Sequence, residues 1–169
     1  MTAAIEIRDA RHDDVAAITT IYNQLIASTT IEWTETPHTE SERTNWLKHN
    51  VAESNPVLVA VLGDQVVGVA SYDDFRDSAK WPGYRFTVEH SVHVQQGLWG
   101  HGVGRALMQV LMQRARAAGK HVMIGAVDAD NTGSIRFHER LGFVEVGRLP
   151  ETGYKLGRRL GLVLLQQVL

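Results

Sequence analysis

Between Phe86 and Arg105 the sequence passes from a two-faced strand into a glycine-rich turn and then a helix. Phe86, Val88, His90, Val92 and Val94 alternate with Thr87, Glu89, Ser91 and His93, the period of a strand that is largely apolar on one side and polar on the other. Gln95-Gln96-Gly97-Leu98-Trp99-Gly100-His101-Gly102-Val103-Gly104-Arg105 follows, with four glycines in eight residues. Glycine admits left-handed turns and close approach to a ligand, and successive turn amides can converge on one anion. Val103, Leu107, Val110, Leu111 and Ala115 then recur at helical spacing, with Gly119 as the expected C-cap. The first amides of such a helix lack intrahelical partners and sit at its positive end. A diphosphate held by backbone amides is the functional reading; a mobile glycine turn without a ligand is the plain alternative. Two other phosphate motifs are absent. No Lys-Ser or Lys-Thr pair closes a triphosphate loop, and Leu107 occupies the third glycine position of the dinucleotide fingerprint.

Around this segment strands and helices alternate. Ile5 and Ile7 form a short strand pattern, and Val15, Ile18, Tyr22, Leu25 and Ile26 follow at helical spacing. Asp13 and Asp14 are expected in that helix's first turn, where the dipole favours them. Thr29-Thr30 and Pro37 end it, and a second helix is expected over Glu40 to Val51, with Trp46 and Leu47 on its apolar side. Val57–Leu62 and Val66–Tyr72, joined by Gly63-Asp64, read as an antiparallel hairpin. Asp73 to Gly83 is a polar loop. His121–Val127 is a strand, Asn131–Arg140 a short helix stopping at Gly142, and strands are expected near Phe143–Gly147 and Leu160–Val168. The order β-α-α-β-β-β-α-β-α-β-β predicts one α/β domain over residues 1–169 with a mixed sheet.

Composition removes several classes of function. The chain has 169 residues, Lys+Arg 17 against Asp+Glu 19, and a formal charge of −2. That length can enclose its own core, and the near-zero charge lacks the basic footprint of a duplex-binding protein. Cys is absent, which excludes disulfides, thiolate zinc sites and cysteine nucleophiles. His90 and His93 fall on opposite faces of their strand, so no metal site is expected. Met1 to Asp9 carries no basic start followed by an apolar run and does not read as a signal peptide. No apolar stretch approaches the ~20 residues needed to span a bilayer, so a cytoplasmic protein without a membrane partner is the default expectation.

Two motifs together are more specific. Gly100-His101-Gly102-Val103-Gly104 at a strand–helix junction is followed, after one strand, by Asn131-x-x-Ser134-x-x-Phe137-His138-x-x-Leu141-Gly142-Phe143. This arrangement resembles the GNAT acyl-CoA N-acetyltransferases over almost the whole chain. Ile21-Tyr22-Asn23, Thr29-Thr30-Ile31-Glu32-Trp33, Thr87-Val88-Glu89-His90-Ser91-Val92 and Gly153-Tyr154-Lys155 are similar to the phosphinothricin and methionine sulfoximine acetyltransferase group. The resemblance implies a GNAT-like α/β domain: a mixed, mostly antiparallel twisted sheet with splayed central strands and flanking helices. Acetyl-CoA would lie in the V-shaped opening, its pantetheine pairing like an extra strand with Val92, His93 and Val94. The diphosphate would sit on the amides of Gly100, His101, Gly102, Val103, Gly104 and Arg105. Asn131, with Ser134 beside it, would bind the pantetheine or diphosphate region. Trp99 stands where the family usually has Arg or Gln, which is expected to weaken or re-aim the loop.

The resemblance also assigns chemistry. An amine acceptor arrives as an ammonium ion without a lone pair, so transfer needs a base. Glu89, beside Ser91 on the polar face, is the candidate, and partial burial would raise its pKa and strengthen it. A carboxylate that only anchors the ammonium or pairs with an Arg is the alternative. His138 stands where many GNAT enzymes place a tyrosine that protonates the leaving thiolate, and an imidazole can do so near neutrality; simple packing beside the cofactor is its alternative. Arg76 and Arg85 could hold an acceptor carboxylate by paired hydrogen bonds. Phe75 and Tyr154, with Trp81 and Tyr84, could wall the acceptor side chain, and His90 and Ser91 complete the acceptor site. Asp77 to Gly83 is longer than usual and Arg159-Leu160-Gly161 replaces the Trp-Leu-Asp of close relatives, which leaves the acceptor open.

The expected activity is direct acetyl transfer from acetyl-CoA to the α-amino group of a small amino-acid analogue of the phosphinothricin, methionine sulfoximine or methionine sulfone type. The resemblance further implies a detoxifying homodimer, with no nucleic-acid partner expected. Another small amine or a protein N-terminus as acceptor, and a non-catalytic acyl-CoA-binding module, are the alternatives.

Overall fold

Seven strands and four helices account for these patterns in a computed structural model, which describes residues 4–169. Residues 1–3, part of the stretch read for a targeting signal, lie outside the described residues. The elements are β1 Ile5–Asp9, α1 Val15–Ser28, α2 Glu40–Ala52, β2 Val57–Leu62, β3 Gln65–Asp74, β4 Thr87–Val94, α3 Val103–Ala117, β5 Val122–Asp128, α4 Thr132–Arg140, β6 Val144–Lys155 and β7 Arg158–Val168. They form one α/β domain around an open sheet of order β1-β2-β3-β4-β5-β7-β6. Only β4 and β5 run parallel, because α3 carries the chain across the sheet between them. No helix among the described residues is long and apolar enough to cross a membrane.

Helices cover both faces. Val15, Ile18 and Tyr22 of α1 and Leu47 of α2 pack on Val57, Val59, Val61 and Val69. Leu107, Met108 and Leu111 of α3 and Ile135 of α4 pack on Leu58, Ala60, Tyr72, Val88 and Met123. Burial on both sides is why β2 reads as an unbroken apolar run. Gly68 on β3 lets α3 approach, since a Cβ there would lie 3.0 Å from Leu107 and 3.1 Å from Val103.

Two local expectations are corrected. Asp13 and Asp14 do not open α1 but form a single 3-10 turn ahead of it, His12–Asp14. There Asp14 accepts two hydrogen bonds from Arg8, at 2.7 and 2.9 Å, and the Arg11 amide at 2.7 Å. α2 starts at Glu40, as expected, behind a capping box in which Thr39 accepts the Glu42 amide and Glu42 accepts the Thr39 amide. Second, β6 runs past the expected end at Gly147 to Lys155, since register shifts after Glu145 and after Leu149 break the alternation that would have marked it.

The α1–α2 loop folds back over the ends of β5 and β6. Lys155, 1% exposed, donates to the carbonyls of Ile26 (2.8 Å), Thr29 (2.7 Å) and Glu32 (2.7 Å), so each ammonium N–H is matched. The Thr30 hydroxyl donates to Asp128, and the Trp33 ring lies on Gly153, where a Cβ would come within 2.3 Å of it.

The Arg8 hydrogen bonds hold the Asp14 carboxyl below its ordinary value against the opposing effect of burial. A carboxyl depressed in the folded state contributes stability that is complete above its unfolded pKa and lost as pH falls through the folded one. Asp14→Asn should therefore cost about 1–3 kcal/mol at neutral pH. Urea unfolding of both proteins at neutral pH and in acid should show the difference shrinking in acid; a constant difference would contradict the assignment.

Candidate active site

β4 and β5 pair only through Thr87↔Val122, Val88↔Met123 and Glu89↔Ile124. Beyond Glu89 they part, while β4 stays on β3 as far as Val94 and β5 stays on β7 as far as Asp128. The ladder register says which backbone groups this frees. Gln95 donates to Val67 (2.9 Å) and Phe75 to Thr87 (3.2 Å), so odd-numbered residues of β4 exchange bonds with β3. Val92 and Val94 consequently face the gap, whereas the His93 amide, grouped with them above, turns to β3. The Trp99 indole N–H donates to the Val94 carbonyl at 2.9 Å. The Val92 N–H and C=O and the Val94 N–H remain for a ligand.

Two imidazoles wedge the strands apart. His90 of β4 and His138 of α4 stack at 5.1 Å with their Nε2 atoms 3.2 Å apart. Gly125 of β5 admits them, since a Cβ there would lie 3.0 Å from His90 Nε2 and 3.2 Å from His138 Nε2. His138 Nδ1–H donates to the Ser134 carbonyl at 2.7 Å, so the neutral ring accepts at Nε2 and His90 Nε2–H donates to it. Burial lowers both imidazoles, His90 well below its ordinary value with the His138 and His93 charges adding to the effect. His90 thus lies, as its alternation implied, on the face opposite Glu89 and Ser91, and it still lines the cavity together with Ser91 and His138.

At the far end of the gap the glycine turn does what its composition allows. Gly97, Gly100 and Gly102 have φ of 90°, 81° and 87°, and a Cβ at any of them would meet nothing within 4 Å. The left-handed backbone is what requires glycine there, not lack of space. Ala106 is the first residue to donate into α3, to Gly102 at 3.0 Å, which leaves the amides of Gly102, Val103, Gly104 and Arg105 at the helix start without intrahelical partners. A Cβ on Gly104 would lie 3.3 Å from Phe137, so its glycine also sets the α3–α4 approach. Asn131 caps α4, its Oδ1 accepting the Ser134 amide at 3.0 Å. The His101 ring turns back to the Trp99 carbonyl at 3.0 Å.

These groups line one cavity of about 640 Å³, running from Glu32, Ser91 and His93 past Val92, Val94 and Ala126 to Gly100, Gly102, Arg105, Asn131 and Ser134. Glu89 stands at the apex of the gap, in its last ladder pair, and burial raises its pKa. The loop residues expected to hold an acceptor are not drawn in. Arg76 lies over Phe75 and Tyr84, at 5.5 and 5.7 Å. Arg85 lies 4.4 Å from the Phe86 ring and donates to the Pro82 carbonyl at 2.9 Å. Tyr154 is 63% exposed.

Sequence reasoning missed the carboxylate that does face the cavity. Glu32 Oε1 lies 2.6 Å from His93 Nε2, and the His93 ring is stacked on Tyr22 at 4.3 Å. Burial alone would raise the Glu32 carboxyl, but the His93 hydrogen bond and the charges of His93, Arg43 and His38 bring it below its ordinary value. The motif Thr29-Thr30-Ile31-Glu32-Trp33 marked the segment as meaningful; nothing in it pointed to His93.

Residues 18–143 match the sequence model of the acetyltransferase (GNAT) family. An L-methionine sulfoximine/L-methionine sulfone acetyltransferase from Pseudomonas paraeruginosa is 43% identical over 161 residues, covering 95% of this chain and 92% of its own. A phosphinothricin acetyltransferase from Sinorhizobium meliloti, solved in complex with acetyl-CoA, is 33% identical with a TM-score of 0.92, over 100% of this chain and 89% of that one. A ribosomal-protein-alanine N-acetyltransferase structure from Brucella melitensis is 39% identical with a TM-score of 0.93, over 97% and 99%. With the parted strands, the glycine turn and these similarities together, the chain belongs to the acetyltransferase (GNAT) family and is an N-acetyltransferase.

Proposed function

We propose that the chain transfers the acetyl group of acetyl-CoA to the α-amino group of a small amino-acid analogue of the methionine sulfoximine, methionine sulfone or phosphinothricin kind. The observation that carries this reading is the unpaired backbone of Val92 and Val94, which opens at one end on the free amides of α3 and at the other on Ser91 and Glu32, with Glu89 one step back along the Ser91 face of β4. Val92 and Val94 would pair with the pantetheine and offer an amide to the thioester oxygen. The diphosphate would take the amides from Gly102 to Arg105, supported by the helix dipole.

In the transfer the amine lone pair attacks the thioester carbon, the C–N bond forms and the C–S bond breaks. Glu89 first takes one proton from the ammonium, directly or through water, which frees that lone pair, and the second proton leaves nitrogen to water as the intermediate collapses; the raised pKa of Glu89 makes it a stronger base than a solvated carboxylate. A backbone amide at Val92 or Val94 stabilises the oxyanion before it collapses. His138 is assigned a different part from the one its position suggested. As a neutral ring whose proton is on Nδ1, it accepts at Nε2 and has none to give there, so the thiolate takes its proton from water.

Glu89→Gln should lower kcat by ~10²–10⁴-fold, the usual span for a positioned base, with CoA affinity nearly unchanged by calorimetry. Activity of the unaltered chain should rise with pH as Glu89 loses its proton, and the variant should lack that rise. Equal activity of the two across about pH 6 to 9 would remove Glu89 as the base. Thiol release on a panel of methionine sulfoximine, methionine sulfone, phosphinothricin and a peptide beginning with alanine tests the acceptor. The amino-acid analogues should turn over; turnover of the peptide alone would move the activity to a protein N-terminus.

A further inference from the structure

Glu32 reaches the cavity from a loop that is held on three sides. Lys155 binds the carbonyl of Glu32 itself along with those of Ile26 and Thr29, Thr30 is tied to Asp128, and Trp33 is seated on Gly153. The side chain is then fixed by His93, whose Nε2 lies 2.6 Å from Oε1. Glu32 Oε2 has no hydrogen-bond partner among the described residues, and the side chain is 28% exposed against 3% for His93. An oriented carboxylate thus keeps one oxygen without a protein partner in the lining of the cavity, which also includes Ser91. The arginines of the Phe75–Arg85 loop lie on aromatic rings, and Arg43, whose charge helps to lower the Glu32 carboxyl, lies over the Tyr22 ring at 4.2 Å. Arg105 lies at the diphosphate end.

We propose that Glu32 is a specificity-determining residue: its free oxygen accepts a hydrogen bond from an N–H on the acceptor's side chain and repels a second anion placed there. The inference rests on the acceptor class proposed above and narrows it. An analogue with a neutral N–H, such as the sulfoximine, meets a complementary oxygen. A sulfone of the same shape has no donor, and a phosphinate adds a second negative charge beside that of Glu32.

The test is kcat/KM for methionine sulfoximine, methionine sulfone and phosphinothricin, with the unaltered chain, Glu32→Gln and Glu32→Asp. The unaltered chain should prefer the sulfoximine over phosphinothricin by about tenfold or more, with the sulfone between. Glu32→Gln should bring the phosphinothricin ratio within about threefold of unity, chiefly by improving phosphinothricin, and Glu32→Asp, which keeps the charge, should retain most of the preference. An unaltered chain indifferent to the three, or a ratio that Glu32→Gln leaves unchanged, overturns the inference while leaving the acetyltransferase reading intact. If Glu32→Gln does not fold, the ordering in the unaltered chain and in Glu32→Asp still decides. No turnover of any of the three by the unaltered chain overturns the acceptor class and this inference together.

Discussion

The site depends on two neighbouring strands that stop pairing. Had β4 and β5 continued in register beyond Glu89, the Val92 and Val94 groups would be spent on the ladder, as buried backbone groups normally are. The cost of leaving them open falls where a ligand with its own amides could offset it. His90, His138 and Gly125 keep the strands apart. A side chain at residue 125 would collide with the imidazole pair.

Charge is distributed along this gap without help from the chain's overall balance of −2. At one end the glycine turn and the start of α3 supply oriented amides, which suit an anion without a basic surface. At the other end stand two carboxylates in different states. Glu89 is raised by burial alone, whereas Glu32 is brought down by the imidazole it touches. Such a separation lets one group take up a proton while the other stays ionised. Lys155 makes the second state possible, because a buried ammonium saturated by three carbonyls holds the Glu32 loop against the sheet.

Much of the fold was legible because its signals are local. Alternation from Phe86 to Val94, the spacing from Val103 to Ala115, Asn131 before α4 and Gly142 after it each name a dihedral or a face within a few residues. Thr39-x-x-Glu42 was equally local and gives the start of α2. β6 was cut short because two register shifts interrupt its period. The site was legible where glycines and strand faces define it and opaque where side chains meet across the fold. His93 and Glu32 are 61 residues apart, and His90 and His138 are 48 apart; no spacing rule links either pair. Arg76 and Arg85 have the right chemistry to hold a carboxylate, and their stacking on nearby rings is a tertiary choice that the local pattern does not encode.

The account stands or falls on whether acetyl-CoA enters the gap between β4 and β5. Amide chemical shifts of the labelled protein, followed as acetyl-CoA is added, test this directly. The Val92 and Val94 amides and those from Gly102 to Arg105 should move together and saturate at one concentration, while the His93 amide, bonded to β3, moves far less. Shifts confined to another surface, such as the groove of Asp13, Gln24 and Asp64, or equal shifts at His93 and its two neighbours, would contradict the claim.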